Sequence, residues 1–346
     1  MDAPVLLAID GNSLVHRSYH AQARTGMHTV DGQPTWAVRG LLTQLVAAVD
    51  RIRPAVVVVG FDDPDSSLRR ERWPTYKANR VDKLDTLVEQ LASAVDVLRA
   101  LGVGVVVPSG LEADDVLASA AAFAGARDWR TVIATSDRDA FALIDDTTTV
   151  LRIINGGADA SPMMTAERLV TLLGVRPGQY RDFAALRGDP SDNLPGVRGI
   201  GPRTAARLLC EFGSAVAAFD DLDGVRSRLG TGVAARLAEP SARSRWEFNC
   251  RVMAMHHDLP LDVDLHSGPG VLPLTAAAVD TVFRAQNLTW TAAQAVRVLA
   301  NAEPEPVRPP RPVTVTWTDG WAGGSSRKLP KLPARKPRLE QLSLFD

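Results

Sequence analysis

The chain has 346 residues, 45 % hydrophobic and 23 % charged, with a net charge of −1 and two cysteines. This suits one large or two modest soluble cores, and no apolar run approaches the roughly eighteen residues of a membrane span. Cys210 and Cys250, far apart, read as small buried side chains rather than a disulfide framework. With no signal peptide at the start, the expected location is the cytoplasm.

Taken in chain order, the first part alternates. VLLAI (5–9), AVVVVGF (55–61), VGVVV (103–107) and TVIAT (131–135) are short apolar runs, like buried parallel strands. Amphipathic stretches near 37–51, 84–101 and 112–124 lie between them. The pattern predicts an α/β core with a parallel sheet flanked by helices. From about 165 to 300 the chain reads as helical with Gly/Pro breaks and no convincing strand. Residues 302–346 are rich in Pro and Arg and read as a disordered tail.

Each apolar run is followed at once by acids: Asp10, then Asp62, then Glu112, Asp114 and Asp115, then Asp137 and Asp139. The carboxyl ends of parallel strands share one edge, so these seven should converge on one cleft. LRGDPSDN adds Asp189 and Asp192. Any one of these acids is explained as a helix cap. All of them together repel, and no balancing His or Lys cluster stands at the strand ends. Mg²⁺ or Mn²⁺ with oxygen ligands answers that repulsion, and two such ions form a clamp for phosphodiester hydrolysis. A nucleotide-binding protein is the competing α/β reading. It lacks a phosphate loop, and GIGPRT (199–204) has no preceding strand and no third glycine.

Two stretches suit nucleic acid. RRERWPTYKANR (69–80) interleaves cations, among them Arg72, Lys77 and Arg80, with Trp73 and Tyr76, the composition of a single-strand element. DNLPGVRGIGPRTAARLL (192–209) places Gly196, Gly199 and Gly201 in a tight left-handed turn before a helix bearing Arg203 and Arg207, a phosphate-binding arrangement.

IDGNS, FDD…YKANR, GLEADDV, TSDRD and GDPSDNLPGVRGIGPRTA occur in the order and spacing of the bacterial 5′-nuclease (flap endonuclease) family, which the chain resembles over about residues 4–300. The resemblance implies a PIN-like nuclease core over 1–166 with a helical arch near 63–83. It implies a helical DNA-binding lobe with a helix-hairpin-helix-like motif over 167–301. The implied activity is 5′–3′ exonuclease and 5′-flap cleavage of branched DNA in replication and repair. Asp10, Asp62, Glu112 and Asp114 match a first metal site. Asp115, Asp137, Asp139, Asp189 and Asp192 match a second. Lys77 and Arg80 match arch residues at the scissile phosphate, and Arg17 a substrate contact. Tyr19 is a further candidate, for base stacking. The turn at 196–201 matches a duplex-binding motif that holds K⁺ through backbone carbonyls. Ser136 stands where the family usually has Gly. No polymerase follows, so a stand-alone, monomeric, nucleoid-associated nuclease is expected. Gln341, Leu342, Leu344 and Phe345, in QLSLF, resemble the pentapeptide that docks bacterial proteins on the sliding clamp. A PIN-type ribonuclease and a non-catalytic DNA-binding protein are the alternatives.

Overall fold

The computed structural model describes residues 3–261 and 263–304. Six strands form one sheet: β1 (Val5–Asp10), β2 (Val56–Gly60), β3 (Gly104–Val106), β4 (Arg130–Thr135), β5 (Thr148–Arg152) and β6 (Met163–Met164). Their order is β3-β2-β1-β4-β5-β6, all parallel except β6, which runs antiparallel to β5. The order reverses between β1 and β4. At such a switch point the connections leave on opposite sides and open a crevice beyond the strand ends.

The central strands β1 and β2 are apolar nearly throughout because both faces are covered. Leu6, Ala8, Val56 and Val58 face a layer containing α5 (Ala113–Gly125), whereas Leu7, Ile9, Val57 and Val59 face α2 (Trp36–Ile52) and α4 (Asp85–Leu101). Successive side chains of a strand point to opposite faces, so continuous valine and leucine runs fill both cores.

The expected parallel core is present, and three details differ. A first helix, α1 (Gly11–Gln22), follows β1 directly, and β5 and β6 extend the sheet. The helical part contains a small hairpin, Gly188–Asp189 with Leu194–Pro195. The lobe expected over 167–301 does not hold together to its end. Helices Ala276–Ala285 and Thr289–Ala300 bury Val279, Phe283 and Val296 among residues of α2 and α4, on the nuclease core. In the arch region the only helix is α3 (Leu68–Arg72), followed by turns. Cys210 is exposed rather than buried, and Cys250 is half-buried.

Gly196 is needed for close approach rather than for a left-handed backbone. A Cβ there would lie 2.3 Å from the Arg187 carbonyl oxygen, inside the strand–turn that carries Asp189 and Asp192. Backbone cannot rotate away as a side chain can. Gly196→Ala should therefore destabilise the fold by about 1–3 kcal/mol, read by denaturant melting, whereas Gly201→Ala, with open space around it, should be near neutral.

Candidate active site

A cleft of about 620 Å³ opens beyond the ends of β1 and β4. Asp10, Asp62, Asp114 and Asp137 line it with Lys77 and Arg80. Local hydrogen bonds fix the acids. Asp10 caps α1, accepting from Ser13 N at 2.8 Å and from Thr135 Oγ1 at 2.7 Å. Asp62 accepts from Asn12 Nδ2 at 2.6 Å and from Ala113 N, at the start of α5, at 2.9 Å. Asp137 Oδ1 accepts from Asp139 N at 3.0 Å. Asp10 is thus both the cap of α1 and a wall of the cleft.

Crowding is visible in the titration of these groups. Burial, with Asp62 and Asp137 nearby, raises the Asp10 carboxyl to about 7. Asp114 is raised well above the carboxylate range by burial and then by Asp137 and Asp10. Asp139 is raised by burial and then by Asp137, Asp189 and Asp192, which links these four acids beside the cleft. Asp192 is raised by burial, with Lys77 and Arg80 opposing. The donor set is all oxygen and mutually repulsive, which fits a hard divalent cation. Among the described residues no three His, Cys, Asp or Glu side chains are already drawn together as a ligand cage.

The expectation that the acids lack balancing bases is overturned. Lys77 donates to Glu112 Oε1 at 3.0 Å, Arg69 pairs with Glu112 Oε2, and Arg80 donates to Asp192 Oδ1 at 2.6 Å. Burial works to raise the Glu112 carboxyl, but Lys77 and Arg69 outweigh it and hold it low. Asp115 does not reach the cleft. Its side chain is 1 % exposed, and its oxygens accept from Arg69 Nη2 at 2.9 Å, His256 N at 2.9 Å and Glu112 N at 3.1 Å. The carboxylate is spent on these three donors, so the structure does not place it as a metal ligand.

Two aromatic assignments are also corrected. Tyr19 is buried, donates or accepts at Thr86 Oγ1 (2.6 Å) and packs on Trp36, so it cannot stack on a base. It lies two residues from Arg17, and such residues point to different sides of a helix. Tyr76 is buried and donates to Glu112 Oε2 at 2.9 Å. Trp73 is half-buried under Arg72, whose guanidinium lies 5.0 Å from the ring centroid.

Arg17 does line the cleft, donating to Asn155 Oδ1 at 2.7 Å. Ser13, His16, His20 and Asn155, which the sequence reading does not single out, line it as well, and so does Ser136. The signal was present: Ser13, His16, Arg17 and His20 recur at helical spacing on one face of α1. His16 is lowered to about 4 by burial and by Lys83, His20, Arg80 and Lys77, so it stays neutral amid cations. Ser136 meets Ser13, Oγ to Oγ, at 2.5 Å.

In the glycine turn only Gly199 has a positive φ, at 74°. Its carbonyl accepts from Arg236 Nη1, a protein-borne cation at the position expected to hold K⁺. Gly201 is extended and caps the helix Pro202–Phe212, whose Arg203 and Arg207 are exposed. Gln341, Leu342, Leu344 and Phe345 lie outside the described residues.

The raised Asp10 carboxyl makes a pH prediction. A carboxyl that holds its proton more tightly when folded stabilises the fold below its ordinary value of 3.8, and that contribution is lost as pH rises through about 7. Asp10→Asn does not titrate. Without divalent cations, its stability relative to the unsubstituted protein should therefore rise between about pH 4 and about pH 7 and level off above that in denaturant melts. A pH-independent difference would show that Asp10 is not held protonated.

A family model for the 5′-3′ exonuclease N-terminal resolvase-like domain matches residues 5–173, and one for the 5′-3′ exonuclease C-terminal SAM fold matches 175–273. The chain is 40 % identical over 235 residues to DNA polymerase I of Mycobacterium tuberculosis, covering 68 % of this chain and 26 % of that protein. It is 36 % identical over 259 residues to the thermostable DNA polymerase I of Thermus aquaticus, covering 75 % of this chain and 29 % of that one. It therefore spans little more than a quarter of these relatives' length. In fold it is similar to T5 5′-exonuclease bound to zinc (TM-score 0.57, 17 % identity, covering 85 % of this chain and 93 % of that one). The catalytic core of Rad2 in complex with DNA substrate is also similar (TM-score 0.53, 15 % identity, covering 87 % and 92 %). The resolvase-like α/β core, the helical domain behind it and both family models agree: the chain belongs to the 5′-3′ exonuclease family.

Proposed function

We propose that the chain is a divalent-metal-dependent 5′–3′ exonuclease and 5′-flap endonuclease acting on DNA. The observation that carries this is the convergence of Asp10, Asp62, Asp114 and Asp137 with Lys77 and Arg80 on one cleft. Asp10, Asp62, Glu112 and Asp114 would hold one Mg²⁺ or Mn²⁺ ion, and Asp137, Asp139, Asp189 and Asp192 a second. When bound, such ions activate water and neutralise charge on the phosphate. The chain's own contribution is placement. Arg80 and Lys77 bring cations to the cleft, Arg17 and Asn155 line it with them, and the buried strand ends hold the acids rigid. Hydrolysis adds one water across one P–O bond of the phosphodiester.

K⁺ at 196–201 would share the turn with the Arg236 guanidinium, which donates to the Gly199 carbonyl. DNA contact there would come from Arg203 and Arg207 to phosphates. QLSLF supports a second proposal, docking on a bacterial sliding clamp through Gln341, Leu342, Leu344 and Phe345. Deleting 341–346 should abolish capture by purified clamp and leave clamp-free cleavage unchanged; retained capture would sink it.

The deciding assay uses a labelled 5′-flap DNA beside an RNA flap of the same sequence, with Mg²⁺ and with EDTA. DNA cleavage only with Mg²⁺ is the expected result; cleavage of RNA alone would support the ribonuclease alternative instead. Asp137→Ala should lower single-turnover cleavage by orders of magnitude while DNA binding survives, since one repelling charge is gone. Lys77→Ala should lower the single-turnover rate by about a hundredfold or more with a much smaller change in affinity. Loss of affinity alone would make Lys77 a tether.

A further inference from the structure

Beside the cleft lies a buried ionic bridge that joins three parts of the chain. Arg69, from α3, pairs with Glu112 Oε2 through Nη1, while Nη2 donates to Asp115 Oδ1 at 2.9 Å and to the Ala254 carbonyl at 3.1 Å. The Arg69, Glu112 and Asp115 side chains are 10 %, 8 % and 1 % exposed. Asp115 in turn ties down the His256 and Glu112 backbone N–H groups.

The partners of Glu112 are divided unequally between its two oxygens. Oε2 receives both Arg69 and the Tyr76 hydroxyl, whereas Oε1 receives Lys77, which itself lines the cleft. A carboxylate held by one oxygen cannot swing, and the other oxygen is left aimed towards Lys77. The planar guanidinium can reach two carboxylates and a carbonyl at once; an ammonium offers no such fork.

We infer that Arg69 and Asp115 are positioning residues for Glu112: Asp115 anchors the guanidinium, and the guanidinium locks Oε2 so that Oε1 is presented to a divalent cation. Asp115 thereby acquires a role other than ligation. The inference rests on the proposed metal-dependent reading of the cleft.

The test measures Mn²⁺ binding to the full chain without DNA, by calorimetry, alongside thermal melting in EDTA. Arg69→Lys and Asp115→Asn should each weaken Mn²⁺ binding about 10–100-fold, the usual effect of removing a group that orients a ligand. The number of ions bound should not change, and high Mn²⁺ should restore flap cleavage towards the unsubstituted rate. Tyr76→Phe removes one donor from Oε2 without changing charge and should weaken binding in the same direction, which keeps the test open if a charge substitution unfolds the protein. A lower melting temperature with unchanged Mn²⁺ affinity would overturn the inference in favour of a purely structural bridge. Loss of a whole bound ion in Asp115→Asn would overturn it in favour of direct ligation. If the unsubstituted chain bound no Mn²⁺ at all, the metal reading itself would fall and the inference with it.

Discussion

Repulsion among carboxylates at the reversal of strand order is the constraint around which the molecule is organised. Asp10 and Asp137 sit at the ends of the neighbouring strands β1 and β4, and Asp62 and Asp114 close in from the ends of β2 and the start of α5. Buried like charges raise one another's proton affinity, as Asp10, Asp114 and Asp139 do here. A fold tolerates such a cluster only on a scaffold that cannot relax. This one is a parallel sheet buried on both faces, whose strand-end Asp10 also caps α1. The hydrogen bonds from Ser13 N and Ala113 N fix the caps and aim the charges together.

The response to that repulsion divides the acids in two. Glu112 and Asp192 are met by side chains of the 69–80 segment, through Lys77, Arg69 and Arg80. Among the described residues Asp10, Asp114 and Asp137 have no ion pair of this kind; they are the acids left for something else to neutralise. This partition is physical, because basic side chains reach only the acids beneath the segment.

Much of this was legible beforehand. The four apolar runs became β1 to β4 because continuous β-branched residues bounded by acids suit a doubly covered sheet. α1 was not legible, since GNSLVHRSYHAQ is polar and its buried face is carried by only a few apolar residues. β5, with two threonines and an arginine in five residues, lacks the continuous apolar run that marks the central strands. The site residues divide by reach. Asp10, Asp62 and Asp114 follow from position at a strand end, which periodicity reveals. Asp115 lies one residue from Asp114, and that step turns a helical side chain by about 100°, away from the cleft and into the Arg69 bridge. The composition of 69–80 suggested exposed cations and rings. Its ability to bury Tyr76 and Arg69 beneath the backbone depended on partners more than thirty residues away, which no local pattern carries.

The same segment sets how the cleft engages a polyanion. Lys77 has a left-handed backbone, φ 55°, held by its N–H to the Asp192 carbonyl at 2.9 Å, and Asn79 and Asn193 cross-link the segment to the 190–193 turn. Such a conformation is unfavourable for lysine and persists because neighbouring bonds over-determine it. Lys77 and Arg80 are therefore not loose tethers. They are fixed cations whose present partners, Glu112 and Asp192, are themselves candidates for binding a divalent ion. On the proposed function, a phosphate entering the cleft would compete with those carboxylates for the same guanidinium and ammonium, while a divalent cation would compete with Lys77 and Arg80 for the carboxylates. Each exchange would favour the other, because a cation that relieves Glu112 and Asp192 would free Lys77 and Arg80 for phosphate. Coupling between cation and polyanion would then be built from ion pairs already present, and by linkage would act equally in both directions.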